Sequence, residues 1–385
     1  MELADLGWGV AVLLLLGLAP MVWVLIRPRS LPDVDEAQRD WPSVAVIVPS
    51  RNEGRNVERA FKTLLGLTYP HLSIIALNDR STDDTGEILD QLAASDQRAH
   101  VIHVEELPDG WLGKNHANHI GAEFALERGA DWLLFTDGDI LFAPDTVQRA
   151  VRAIADQGRD HLTLWPRMEP AGWAEQALLT TFALFFQLRF GVPWVRSRIK
   201  QFYVGVGAFN LVSRRAYQAF GGHQTLALEV VDDVKLGKLV KREGYLQDAL
   251  DGQSVLSVRW QEGGVRGVVG GLMKNTFASQ GFSVLRVVVE TAVFGSLFLA
   301  PPVVTCLWWD PRALGFQLAT LLLLMTYALV AWRARTPIST LLVFPLMCWI
   351  FPIIMWRSMF LTLRQGGVKW RDTFYPLKVL KQGQV

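Results

Sequence analysis

The sequence predicts an α/β domain with a doubly wound, mostly parallel sheet, carried by one N-terminal and two to three C-terminal transmembrane helices. Strand and helix patterns alternate between Ser43 and about Ala143, and four charge-poor stretches lie outside this region. The chain has 385 residues, of which 50% are hydrophobic and 19% charged, and its mean hydropathy is positive. Such a composition is too apolar for an ordinary soluble enzyme of this size.

The four charge-poor stretches are predicted to lie in lipid, because each is about 20 residues long and a helix of that length crosses a hydrocarbon core of roughly 30 Å. The first is an uncleaved anchor over residues 1–27 rather than a signal peptide, since Glu2 and Asp5 precede it and Arg27 and Arg29 follow it. The stretches are residues 6–26, 287–309, 314–332 and 338–356.

The basic residues after the first stretch predict a multi-pass protein of the cell (inner or plasma) membrane, with the polar domain in the cytoplasm. Three further crossings would leave the basic tail, residues 364–385, on the outside. Because Pro345 and Pro352 interrupt the last stretch, we expect it to be re-entrant or interfacial.

The polar domain, residues 40–260, begins with the β-branched run 44–48, which is closed by Pro49 and is typical of a buried parallel strand. Alternating strands and helices imply right-handed crossovers. Residues 177–195 are equally typical of an interfacial helix and a core helix, and residues 261–284 are predicted to link the domain to membrane segments within 285–363. The remaining predictions are strands at 72–77, 101–104, 132–136 and 162–165, and helices at 56–67, 85–93, 115–127 and 144–156.

Polar side chains follow three of the predicted strands. Arg51 and Glu53 come after the first, Asp79 after the second, and Asp137 and Asp139 after the fourth. In open α/β sheets the ligand crevice lies beyond the carboxyl ends of the strands, where the strand order reverses. We therefore expect these segments to converge on one crevice.

Asp137 and Asp139 stand one residue apart, an arrangement that can hold a hard divalent cation, Mg²⁺ or Mn²⁺, against a diphosphate. The tripeptide alone is equally typical of an acidic turn. The apolar residues on both sides of it favour the metal site.

Asp79 and Lys114 are candidate donor-binding residues. Asp79 lies too early to cap the next helix, so it is free to accept hydrogen bonds from a base or ribose. Lys114 opens a helix beside a glycine, where a cation and free amides suit phosphate. An exposed helix-start lysine is the alternative.

Asp232 and Asp233 are adjacent acids ahead of a helix, where capping is the usual role. Transfer to an alcohol also needs a carboxylate that takes the hydroxyl proton, and this pair is the best candidate.

Cys306 and Cys348 lie in membrane stretches, which disfavours a disulfide or zinc site. The net charge of +1 disfavours nucleic acid.

Six motifs in order give the chain its family resemblance: it resembles the integral-membrane members of glycosyltransferase family 2, which have the GT-A fold. It looks most similar to bacterial carotenoid- or hopanoid-type lipid glycosyltransferases and, more distantly, to ceramide glucosyltransferases, through residues 113–117 and 205–210, Lys274-Asn275 and Trp370-Arg371. The six motifs are residues 48–53, 78–83, 113–117 and 136–139, Asp232-Asp233 and Arg259-Trp260.

The resemblance implies an inverting transfer from a nucleotide-sugar, UDP-linked, to a lipid acceptor at the membrane. It assigns the general base to Asp233, beside Asp232, and the metal to Asp139 with Asp137. Arg259 and Trp260 are expected on the acceptor side. Donor binding is assigned to Pro49, Arg51, Glu53, Asp79, Lys114 and Asp137.

One departure bears on the product. Processive synthases of the family carry Gln-x-x-Arg-Trp, and Leu256 occupies the Gln position here. We therefore expect a single transfer to a hydroxyl or carboxyl group. A polyprenyl-phosphate acceptor, a processive synthase and a non-catalytic scaffold stay open as alternatives.

Overall fold

The computed structural model describes residues 3–34, 41–370 and 373–385; Glu2, residue 40 and Arg371, all used above, lie outside the described residues. The chain divides into two compact units. The helical unit comprises Met1–Pro28, Pro170–Pro193 and Trp260–Lys381. The sheet unit comprises Arg29–Glu169, Trp194–Arg259 and Gln382–Val385.

The helices and strands are numbered here along the chain. The helices are α1 Leu3–Ile26, α2 Gly54–Leu65, α3 Thr85–Ala93, α4 Gly113–Glu127, α5 Thr146–Gln157, α6 Trp173–Arg189, α7 Arg214–Ala219, α8 Gly222–Thr225, α9 Asp232–Arg242, α10 Gly264–Ser279, α11 Val284–Phe294, α12 Ala300–Leu307, α13 Leu314–Arg333, α14 Phe344–Gln365 and α15 Leu377–Gln382. The strands are β1 Val44–Ser50, β2 Leu72–Asp79, β3 Ala99–Val104, β4 Trp132–Phe135, β5 Leu141–Phe142, β6 His161–Trp165, β7 Arg167–Met168, β8 Asn210–Ser213, β9 Gln247–Asp251, β10 Leu256–Val258, β11 Gly367–Trp370 and β12 Thr373–Pro376.

The main sheet has seven strands in the order β3-β2-β1-β4-β8-β6-β9. Every neighbouring pair is parallel except those of β8, which is antiparallel to both β4 and β6. The prediction of a doubly wound, mostly parallel sheet is confirmed. The strand order reverses between β1 and β4, where Ile47 pairs with Phe135, so the residues after these two strands share one edge.

The continuous apolar run in β1 reflects burial on both faces of the sheet. Val44, Val46 and Val48 belong to one core cluster, and Ala45 and Ile47 belong to the other. Helices cover both faces of parallel sheets, so such strands lose the polar alternation of a half-exposed strand.

Among the described residues, four helices are long and apolar enough to cross a membrane: Leu3–Ile26, Val284–Leu307, Pro311–Arg333 and Phe344–Gln365. The prediction of one N-terminal and two to three C-terminal helices is confirmed, with three at the C-terminal side. Gly7 and Gly315 meet where α1 packs on α13, since a Cβ at either would collide with the opposite helix. Small residues allow this close approach of membrane helices.

Helices α14 and α6 of the helical unit bear on two of the sequence predictions. The predicted interruption of the last membrane stretch is wrong, because α14 is continuous through Pro352 and Pro345 lies in its first turn. Proline is tolerated at the first helical position, and neighbouring groups compensate for it inside membrane helices. Helix α6 packs within the helical unit, where Leu184 joins the core formed with α1 and α13.

Candidate active site

The loop after β1 is tied to the loop after β2. Asn52 has a left-handed backbone (φ 52°), its N–H donates to Ser81 Oγ at 3.1 Å, and its Oδ1 accepts from the N–H of Thr82 at 2.8 Å. The N–H of Glu53 donates to Thr85 Oγ1 at 2.9 Å. These bonds hold the start of α2 beside the start of α3.

Three predicted donor residues accompany this loop. Pro49 is still part of β1, opposite Leu77 of β2. Arg51 and Glu53 follow at the carboxyl end of the strand, and both are half-buried. The structure therefore places all three at the sheet edge that the strand order selects.

Asp79 is buried at the end of β2 and is already paired. Its two carboxylate oxygens accept from Arg80 Nε at 2.7 Å and Nη2 at 3.1 Å. Asp79 does not cap α3, whose N-cap is Asp84, and its contact with a nucleoside stays a prediction. The pairing with Arg80 is an addition that the sequence analysis did not include. A Cβ at Gly113 would lie 2.5 Å from both Asp79 Oδ2 and Arg80 Nη2, so glycine lets α4 begin directly against this pair.

Lys114 lies among carboxylates rather than in solvent. Its Nζ is 2.8 Å from Asp137 Oδ1 and 3.5 Å from Asp232 Oδ1. Burial lowers the pKa of the ammonium, but the nearby charges of Asp137, Asp232 and Asp233 raise it by a larger amount, so the net shift of the pKa is upward. Lys114 therefore stays charged and brings the two separate acidic motifs together.

The segment around Gly207 links Asp137 to Asp233. The carbonyl of Gly207 accepts from the N–H of Asp137 at 3.0 Å, and its N–H donates to Asp233 Oδ2 at 2.9 Å. The other oxygen of Asp233 accepts from the N–H of Val234 at 2.8 Å. A Cβ at Gly207 would lie 2.5 Å from Asp137 Oδ2, and one at Gly205 would overlap the carbonyl of Asp233, so both positions need glycine.

The acids of the site have altered proton affinities. Burial raises the pKa of Asp233 to about 7, the charge of Asp232 adds to the rise, and Lys114 opposes it. Burial also raises the pKa of Asp232, against the effect of Lys114. A carboxylate with a pKa near neutrality is well matched to accept a proton at physiological pH.

The surroundings of Asp139 fit a cation. Burial raises its pKa to about 7, and the negative charges of Asp137 and Glu53 contribute. A divalent ion would relieve this repulsion, and carboxylates are the ligands that Mg²⁺ and Mn²⁺ prefer. Within residues 3–34, 41–370 and 373–385, no three His, Cys, Asp or Glu side chains are grouped to hold a metal alone, so further ligands would come from a bound diphosphate.

A polar pocket beside these acids contains residues that sequence reasoning missed. Asn118 Oδ1 is buried there without a hydrogen-bond partner among the described residues, and burial lowers the pKa of His223 to about 3. Asn118 follows Lys114 by one helical turn, a spacing that could have revealed it, whereas His223 gave no signal. The lining residues are Lys114, Asn118, Phe135, Thr136, Asp137, Gly207, Asn210, His223, Asp232, Asp233 and Leu236.

Asn115 joins the start of α4 to the loop that precedes Asp232. Its side-chain amide donates to the carbonyls of Leu226 at 2.6 Å and Glu229 at 2.9 Å, and the asparagine is buried. The start of α4 is thereby joined to the loop that leads into α9, which keeps Lys114 opposite the acids.

The two acceptor-side candidates fall in different units. Arg259 is the last residue of its segment in the sheet unit and is exposed, whereas Trp260 belongs to the helical unit. There Trp260 stacks on Phe182, with ring centroids 5.0 Å apart and an interplanar angle of 22°. Leu256 is buried in β10 and pairs with Phe142.

The fold is that of the GT-A class. A solved mannosyltransferase from Pyrobaculum calidifontis, in complex with GDP-Man and Mn²⁺, aligns over 91% of this chain and 99% of its own with a TM-score of 0.51 and 18% identity. At that identity the likeness shows the fold alone.

The sequence comparisons then give the family. A polyprenol monophosphomannose synthase from Mycolicibacterium smegmatis is 30% identical over 211 residues, which are 52% of this chain and 67% of that protein. The model for glycosyl transferase family 2 matches residues 45–221. The chain belongs to glycosyltransferase family 2.

A 4,4'-diaponeurosporenoate glycosyltransferase from Staphylococcus haemolyticus is 23% identical over 234 residues. The match covers 60% of this chain and 60% of the staphylococcal protein.

Proposed function

We propose that the chain is a membrane glycosyltransferase that moves one sugar from a nucleotide-sugar, UDP-linked, to a hydroxyl or carboxyl group of a lipid, with inversion at the anomeric carbon. The observation that carries the proposal is Asp233, held by the N–H groups of Gly207 and Val234 beside the Lys114–Asp137 pair. Two relatives support a lipid acceptor, since their names refer to diaponeurosporenoate and a polyprenol.

The donor would bind along the edge formed by β1, β2 and β4. Lys114 supplies the positive charge for the diphosphate, and the Asp79–Arg80 pair presents both an acidic and a basic group to the nucleoside. Pro49, Arg51 and Glu53, at the carboxyl end of β1, would complete the donor site.

A divalent cation, Mg²⁺ or Mn²⁺, would be held by Asp139 and Asp137. When bound, it would neutralise the charge that develops on the leaving diphosphate. The mannosyltransferase of similar fold contains Mn²⁺ together with its GDP-Man, which supports this cofactor.

Asp233 would act on the acceptor. It accepts the proton of the acceptor hydroxyl while that oxygen attacks the anomeric carbon and the nucleoside diphosphate departs from the opposite side. One displacement inverts the configuration. Asp232, 3.5 Å from Lys114, would instead hold that ammonium in position.

We further propose that the protein lies in the cell (inner or plasma) membrane with the sheet unit in the cytoplasm. The four membrane-length helices of the described part of the chain support this placement, as does the basic pair Arg27 and Arg29 after the first of them. Nucleotide-sugars would then be available to the site.

The mycobacterial relative favours a second candidate, transfer to a polyprenyl phosphate. A phosphate acceptor is already ionised and needs no base. An Asp233→Asn variant that retains full turnover would support an acceptor that is already ionised, a phosphate or a carboxylate, and assays with each acceptor would separate these two. Loss of turnover with intact donor binding supports a hydroxyl acceptor.

Lipid profiling tests the proposal directly. Cells lacking the protein should lose a glycolipid that carries one sugar, and wild-type protein but not Asp233→Asn should restore it. A product with several sugars would indicate a processive synthase.

Purified full-length protein should also bind or hydrolyse one member of a panel of UDP- and GDP-sugars with Mn²⁺. Failure with all of them would indicate a non-catalytic scaffold.

A further inference from the structure

A cluster of basic side chains lies in the sheet unit outside the pocket that lines the candidate active site. Arg29 Nη1 is 2.5 Å from Asp248 Oδ1, and Arg196 Nε is 3.6 Å from Asp248 Oδ2. The Asp248 side chain is only 2% exposed. The main chain fixes this arrangement, because the carbonyl of Arg29 accepts from the N–H of Asp251 at 3.0 Å.

Arg159 and Lys241 add two further positive charges near Arg29, Arg196 and Asp248. Arg159 is half-buried beside Arg29, Arg196 and Asp248, and its Nε is buried without a hydrogen-bond partner among the described residues. The ammonium of Lys241 is buried near Arg159 and donates to the carbonyls of Val195 and Ser197.

The negative charge nearby does not balance these four cations. Asp248 contacts both Arg29 and Arg196, and Asp160, the other acid near Arg159, is already bound by Arg215 and by the N–H of Leu246. Burial and the neighbouring cations lower the pKa of Arg159 and lower that of Lys241 to about 8. Partly buried like charges repel one another, and a bound anion would relieve that cost.

We propose that Arg29, Arg159 and Arg196 form a binding site for a phosphate group, with the unpartnered Nε of Arg159 as one of its donors. Guanidinium groups suit phosphate because they present several N–H donors in a planar fork. The inference does not depend on the proposed reaction, since none of these residues lines the candidate active site.

The sequence favours the headgroup phosphate of an anionic lipid as the source. Arg29 comes three residues after Ile26, where α1 ends. Basic clusters directly after a membrane helix meet the anionic lipids of the cytoplasmic leaflet. Free inorganic phosphate is the other source of the same chemistry, and the two are separable by experiment.

The test measures thermal unfolding of the full chain by tryptophan fluorescence. In detergent, inorganic phosphate should raise the Tm of the wild type saturably, and Arg159→Gln should need about tenfold more phosphate, the loss expected for one charge-assisted hydrogen bond. Without phosphate, Arg159→Gln should unfold at or above the wild-type Tm because it removes a repelling charge. An equal phosphate response in both proteins, or a lower Tm of the unliganded variant, would overturn the proposal.

Arg198→Gln is the matched control. Arg198 is exposed two residues after Arg196, and its replacement changes the net charge of the protein by the same amount as Arg159→Gln. It should respond to phosphate as the wild type does; an equal loss would mean non-specific electrostatics and would refute the site. In nanodiscs, phosphatidylglycerol should raise the Tm of the wild type above that of Arg159→Gln, and phosphatidylcholine should not. A response to free phosphate alone would reject the lipid as source.

Discussion

The substitution Asp233→Asn tests the local geometry and the proton affinity of the proposed base together. The two oxygens of Asp233 accept from the N–H groups of Gly207 and Val234. An amide has only one oxygen, so one of these N–H groups faces an NH₂ group and loses its acceptor. The cost is about 1–3 kcal/mol and is the same at every pH.

The second effect depends on pH. The pKa of Asp233 is about 7 in the folded protein, against an ordinary 3.8. Because the folded value is the higher one, this carboxyl contributes its full stability below pH ~4, and that contribution is lost as the pH rises through 7. The difference corresponds to at most about 4 kcal/mol, and solvent contact of the half-buried side chain reduces it to about 2–3 kcal/mol.

Asparagine does not ionise, so the variant avoids this loss. Between pH 5 and pH 8, the Tm difference between variant and wild type should therefore shift in favour of the variant. More than a third of the loss has already occurred by pH 5, so about 1–2 kcal/mol falls within this window. At about 2 °C per kcal/mol the shift is roughly 2–4 °C. Tryptophan fluorescence of the full chain in detergent, without donor or divalent ions, measures it, and the exposed Asp109→Asn serves as control.

A Tm difference that stays constant from pH 5 to pH 8 would refute the raised pKa of Asp233. In the same preparations, transfer to a hydroxyl acceptor should fall by about 10²–10⁴-fold, while donor binding persists. Unchanged transfer would refute the base role even if the stability result held.

Three further substitutions test other parts of the site and the sheet unit. Lys114→Met should raise the Kd for the nucleotide-sugar at least about tenfold in calorimetry, since a charge-assisted contact to phosphate is lost; an unchanged Kd would remove Lys114 from the donor site. Gly205→Ala should displace the carbonyl of the proposed base, so kcat should fall while the donor Kd changes little, and a normal kcat would show that the loop before β8 yields without consequence. Lys235→Met should lower the Tm by several degrees, because buried Glu229 loses its charged partner at 3.0 Å and keeps the N–H of Val385 as a donor, whereas Lys238→Met should have a smaller effect; equal effects would contradict the buried pair.

The sheet and its functional edge could be predicted because their signals are local. The run 44–48 has the composition of a strand buried on both faces, and β1 spans Val44–Ser50. The helix predicted at 85–93 is α3, Thr85–Ala93. Once strands and helices alternate, the position of Asp137 and Asp139 follows from the topological rule, because a residue that directly follows a strand lies at its carboxyl end.

The contacts that complete the site join segments far apart in sequence, and so escaped prediction. Gly207 meets Asp137 across 70 positions, a distance over which spacing and periodicity carry no information. The pairing of Asp79 with Arg80 depends on a left-handed turn at Arg80 (φ 52°) that its residue type does not favour. The effect of Pro352 was predicted wrongly because the general rule that proline breaks a helix was applied to it alone. In a membrane helix such as α14, neighbouring groups can compensate for the missing N–H.

Asp232 and Asp233 are adjacent and chemically identical, so their separate roles must come from their partners. Asp232 lies 3.5 Å from Lys114, which places it on the side of the proposed donor contact. Asp233 is held by the N–H of Gly207, whose carbonyl accepts from the N–H of Asp137. A single peptide segment thus connects the acid that would meet metal and diphosphate with the acid that would deprotonate the acceptor. We expect donor binding at Asp137 to act on the position of Asp233 through this segment, so that the base is correctly placed only when a donor is present.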